Sequence, residues 1–124
     1  MTIAYWCVFF AFILPYVFTV AAKAKADNFD NRTPRVMMSN LSGWRQRAHW
    51  AQLNSFEAFP PFAASVIIAH LTEVPQTALN QLAIGFIIFR ALYGMFYIMD
   101  KPGLRSLAWF GGIACVAALF VSAI

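Results

Sequence analysis

The chemistry open to this sequence is concentrated in two stretches. The first runs Arg47-Ala48-His49-Trp50-Ala51-Gln52-Leu53-Asn54-Ser55-Phe56-Glu57, followed by Ala58-Phe59-Pro60-Pro61. The second is Arg90-x-x-Tyr93-x-x-x-Tyr97, with Arg105 a short way beyond. On a helix, Arg47, Asn54 and Glu57 fall near one stripe, with Gln52 aside from it. Arg90, Tyr93 and Tyr97, three and four residues apart, share a face. Both stretches are embedded in apolar sequence, where ionisable side chains face a bundle interior and pair with each other. Glu57 and Arg90 each lie about ten residues from the end of their segment, and at roughly 1.5 Å per residue their depths match. The spacing therefore predicts a Glu57–Arg90 ion pair. Such a pair serves equally to fix helix register. Tyr97 near a membrane edge is as much an interfacial anchor as a site residue, and His49 and Trp50 read as interfacial packing.

Other chemistries find little support. Cys7 and Cys115 lie inside apolar runs, where a thiol behaves as a small hydrophobe. His49 and His70 have no partner at metal-ligand spacing, so no metal site is expected. Neither a serine or cysteine nucleophile motif nor a glycine-rich phosphate loop is present.

The elements that must position these residues follow from composition. Of 124 residues, 61% are hydrophobic and 11% charged, a balance that a soluble domain this small could not bury. Disorder and a disulfide scaffold are excluded by the same apolar content and by the two cysteines. A polytopic, all-α membrane protein remains. At about 20 apolar residues per crossing, four spans are expected, at about 3–22, 44–71, 77–99 and 105–124 of a single domain covering 1–124. The first lacks a basic flank and a cleavage site and reads as a retained span, bent at Pro15. The second spans only if its polar first half is included.

Lys23, Lys25, Arg32, Arg35, Arg45 and Arg47 cluster between spans one and two or at the start of span two, and Lys101 and Arg105 bracket the last turn. The connection around Leu71 to Gln76 carries Glu73 and no Lys or Arg. The basic loops are thus expected in the cytoplasm, with both termini on the other side. The net charge of +4 belongs to this membrane edge and to anionic lipid headgroups, not to nucleic acid. Loop one, Lys23 to Gly43, is the only long polar connection, with turn chemistry at Asp27-Asn28, Asp30-Asn31 and Thr33-Pro34.

Ala51-Gln52-Leu53-Asn54-Ser55-Phe56-Glu57 with its following Phe59-Pro60 resembles the Ala-Gln-x-Asn-x-x-Glu signature of the MAPEG family, the membrane-associated proteins in eicosanoid and glutathione metabolism. Arg90-x-x-Tyr93-x-x-x-Tyr97 and Pro102-Gly103-Leu104-Arg105-Ser106 are similar to the family's Arg…Tyr…Arg series. The compact chain looks like the short prokaryotic branch. The resemblance implies a four-helix bundle that forms a homotrimer, with glutathione as co-substrate bound between subunits near the cytosolic side. Arg47, Gln52, Asn54 and Glu57 match positions that hold glutathione or order its site, and Tyr93 and Tyr97 match the aromatic positions of the third long helix. Arg105 matches the arginine that stabilises the glutathione thiolate, since a fixed cation lowers a nearby thiol's pKa and the thiolate is the nucleophile.

The activity implied is a glutathione-dependent transferase or peroxidase in a membrane, the inner (plasma) membrane if the chain is prokaryotic, acting on hydrophobic electrophiles that arrive from the lipid. A second reading is a non-catalytic bundle of the same fold that binds lipid or a small hydrophobic molecule. Trp50 stands where several eukaryotic members carry a glutathione-binding arginine, Ala58 where some carry tyrosine, and Gln46 where a glutamate is usual. The Tyr97-to-Arg105 spacing also differs by about a residue, so the last turn must adjust. A small transporter is disfavoured by the lack of an inverted repeat and of a broken-helix pair.

Overall fold

A computed structural model describes all residues, 1–124, and the chain is helical throughout, without strands. The helices are α1 (Ile3–Lys23), α2 (Pro34–Ser39), α3 (Gly43–Leu71), α4 (Gln76–Ile98) and α5 (Pro102–Ser122). By length and apolarity α1, α4 and α5 are capable of crossing a membrane. α3 is the longest, at 29 residues, but its polar first half keeps it out of that group.

Local sequence explains the boundaries. Thr2 caps α1 by accepting from the Tyr5 amide, satisfying one of the donors a helix start leaves free. The tight connections use one device twice. After α3, Glu73 takes a left-handed conformation while the Val74 amide reaches back to the Ala69 carbonyl and the Glu73 amide to that of His70. After α4, Asp100 does the same, with Lys101 bonded to Phe96 and Asp100 to Tyr97. These paired bonds satisfy the last carbonyls of each helix and reverse the chain within a few residues. Thr33-Pro34, expected as turn chemistry, opens the short α2, with Pro34 in the first turn where a missing N–H costs nothing.

Small residues on α1 (Ala4, Cys7, Ala11) let it approach α3 and α4, and the core between them holds Phe62, Val66, Leu79 and Phe86. Phe62 and Phe86 stack in parallel with centroids 3.9 Å apart, both essentially solvent-free. About two turns further along α4, the Phe18 ring fills the space above Gly94, where any Cβ would overlap it. The outward faces are apolar, with Trp6, Phe9, Phe10, Phe12 and Tyr16 all exposed along α1. In water such a face would be a liability; in lipid it is the expected surface.

Candidate functional site

Arg90 is the pivot of the polar cluster. It lies on the α4 face turned toward α3 and is only 3% exposed. Its Nη2 donates to Oδ1 of Asn54 at 2.8 Å and more distantly to Oγ of Ser55 at 3.4 Å. The Asn54 amide then turns its Nδ2 to Oε2 of Glu57 at 3.2 Å. The expected Glu57–Arg90 ion pair is therefore not formed. Asn54 stands between the two, its oxygen toward the cation and its nitrogen toward the anion. Asn54 projects from α3 one turn before Glu57 and meets Arg90 first, which leaves the Glu57 carboxylate exposed. The only ion pair in the chain joins Arg32 to Asp30 in loop one. There the Arg32 side chain and amide both bond the Asp30 carboxylate and hold it below the usual carboxylate range.

Above this cluster the aromatic series of α4 meets α5. Arg90 packs over the Tyr93 ring at 4.2 Å, and Tyr93 meets Tyr97 edge-on at 5.6 Å. Arg105, in the first turn of α5, lies over the Tyr97 ring at 4.5 Å. Tyr97 and Arg105 come together because the left-handed Asp100 closes the α4–α5 turn so tightly. Asn54, Tyr93, Tyr97, Arg105, Ser106 and Trp109 line a recess of about 250 Å³. A second recess of about 400 Å³ shares Asn54, Tyr93 and Tyr97 and adds Trp50, Leu53 and Glu57. Together they form one groove with Arg105 at one end and Glu57 at the other.

Two of the sequence-selected residues lie elsewhere. Arg47 lines neither recess, because its Nε and Nη2 donate to the Ile98 carbonyl at 3.3 and 3.0 Å. It thereby ties the start of α3 to the end of α4, just before the turn that carries Arg105. Gln52 points to a different face of α3, where its Oε1 meets Nδ1 of His49 at 3.2 Å. That face borders a hollow of about 550 Å³ with Lys23, Arg35 and Met38 along its walls. Ser106 and Trp109 were not selected from sequence, although Trp109 lies one helical turn after Arg105 and so shares its face. No group of three His, Cys, Asp or Glu side chains is placed to hold a metal ion.

Residues 3–124 match the MAPEG family over nearly the whole chain. This chain belongs to the MAPEG family. No curated protein and no solved structure matches it. Membership and the three apolar helices together make it an integral membrane protein, in a family that includes glutathione transferases and peroxidases. In this MAPEG protein Tyr93, Tyr97 and Arg105 stand side by side, with Trp50 on the wall of the adjoining recess.

Proposed function

We propose that the protein is a glutathione-dependent membrane transferase or peroxidase that uses an arginine-stabilised thiolate against hydrophobic electrophiles. The observation that carries this reading is Arg105, held over Tyr97 at the mouth of a recess that also contains Asn54 and Tyr93. Its guanidinium adds to the positive end of the α5 dipole, and both favour an anion there. Glutathione is assigned to the groove between Asn54, Glu57, Tyr93, Tyr97 and Arg105, with Arg47 ordering the α4–α5 turn above it. Gln52 borders a separate hollow, which fits a site completed by a neighbouring copy in a homotrimer. α3 is assigned as a fourth span, its polar half lining the assembly, with loop one cytoplasmic and both termini on the other side. Calorimetric titration of glutathione into the detergent-purified protein tests the reading: saturable binding, with growth of thiolate absorbance, is expected. Absence of both rejects it.

The second reading, a non-catalytic binder of lipid or another hydrophobic molecule, draws on an all-apolar groove of about 560 Å³. It is formed by Met1, Tyr5, Val8, Phe9, Phe12, Phe59 and Ile67 on the outer side of α1 and α3.

A further inference from the structure

The Arg105 guanidinium leans on a single ring. Arg32, Arg45, Arg47 and Arg90 are each fixed by side-chain hydrogen bonds, whereas the Arg105 side chain makes none and joins no ion pair. It rests on the face of Tyr97, 4.5 Å from the ring centroid. The direction of this cation therefore follows the direction of the ring. The Tyr97 hydroxyl makes no hydrogen bond either, so neighbouring rings set its orientation. Tyr93, one turn earlier on α4, meets it edge-on at 5.6 Å. Trp50, from α3, lies 6.2 Å away with its plane tilted by 44°.

Tyr97 borders the recess of about 400 Å³ that has Trp50 in its wall, space into which a ring can turn between staggered rotamers. Tyr93 is buried and shares a helix with Tyr97, so it moves with that helix. Trp50 is the one ring that supports Tyr97 from another helix, at a separation typical of a stabilising aromatic pair. It lies three residues after Arg47, on the same side of α3, and Arg47 bonds the carbonyl of Ile98, next to Tyr97. α3 thus grips the end of α4 twice, at the Ile98 backbone and at the Tyr97 ring. We infer that Trp50 is a positioning residue: its indole holds Tyr97 in the orientation that carries the Arg105 guanidinium at the recess. It acts on the cation through the ring, not on the ligand. The inference rests on the proposed function only for what the held cation does to a thiol.

The deciding measurement needs no ligand. In the full-length protein in detergent, with labelled arginine, the Arg105 Nε–H proton is expected at high field, shielded by the Tyr97 ring beneath it. Trp50→Ala is expected to move it most of the way to the position it takes in Tyr97→Leu, and Trp50→Phe to keep most of the displacement. An unchanged resonance in Trp50→Ala overturns the inference. Should Trp50→Ala not fold, Trp50→Val takes its place with the same expected outcome. With glutathione and chlorodinitrobenzene, Trp50→Ala is expected to raise the midpoint of the thiolate absorbance by about one pH unit. At neutral pH kcat then falls about tenfold and recovers at higher pH, while KM for glutathione changes by less than about threefold. Trp50→Phe is expected to restore most of the rate. A raised KM with an unmoved midpoint means that Trp50 touches the ligand, and it overturns the inference while the glutathione reading stands. Absence of thiolate absorbance and turnover in the unmodified protein rejects the glutathione reading, and the Arg105 resonance alone then decides the inference.

Discussion

Arg90 meets Asn54, not Glu57, at 2.8 Å, and the asparagine amide passes the contact on to the carboxylate. The stability of the cluster therefore depends more on the neutral residue than on the acidic one. Asn54→Ala leaves a buried guanidinium with only the longer Ser55 contact and is expected to cost about 2 kcal/mol, the scale of a hydrogen bond to a charged group. Glu57→Gln keeps an acceptor for the Asn54 amide at an exposed position and is expected to cost under about 1 kcal/mol. Thermal unfolding in detergent checks both. A larger loss for Glu57→Gln than for Asn54→Ala would restore the direct pair.

Arg105 separates catalysis from anchoring. A cation beside an acidic group lowers its pKa by about one to three units, which at neutral pH turns a minor thiolate fraction into the major one. Arg105→Ala is expected to lower the conjugation rate about tenfold or more while glutathione still binds, and to abolish the thiolate absorbance. Arg105→Lys is expected to retain part of each, since a point charge survives without the guanidinium's planar fork. Wild-type absorbance and rate in Arg105→Ala would make Arg105 a headgroup anchor.

Arg47 acts through the α4 terminus. Arg47→Ala frees the Ile98 carbonyl and is expected to destabilise the protein by about 1–2 kcal/mol. Hydrogen exchange at Met99 to Lys101 should accelerate, because the bonds that close the turn lose their support. Unchanged exchange there, with glutathione affinity lost, would mean that Arg47 touches the ligand directly.

Close helix approach at Gly94 depends on the missing Cβ. Gly94→Ala drives a methyl group into the buried Phe18 ring and is expected to cost about 1–3 kcal/mol, as overpacked cores do. Phe18→Leu in that background is expected to recover part of the loss. Simple additivity of the two changes would show that α1 shifts away instead.

Topology is checked in loop one. A cysteine introduced as Asn31→Cys is expected to react with an impermeant thiol reagent only from the cytoplasmic side, given the basic residues around it. Labelling only from the opposite side reverses the assigned orientation.

The amino-acid sequence alone carried the membrane class, the helical character and the family. Each rests on signals written along the chain: apolar runs as long as a bilayer is thick, turn residues between them, and motif residues at helical spacing. It also singled out Asn54, Tyr93, Tyr97 and Arg105, because their types and order are local features. Which of these side chains touch was decided only by tertiary packing. Depth matching placed Glu57 and Arg90 near one level, but depth says nothing of rotation, and the packed α3 and α4 present Asn54 to the guanidinium instead. Packing also gave Arg47 to the Ile98 carbonyl, whereas the separate face of Gln52 follows from helical periodicity alone. Helical periodicity orders residues around a single axis. Contacts between axes depend on how closely the helices approach, which here is set by Gly94 beneath Phe18 and by the left-handed turn at Asp100 that carries Arg105 to Tyr97.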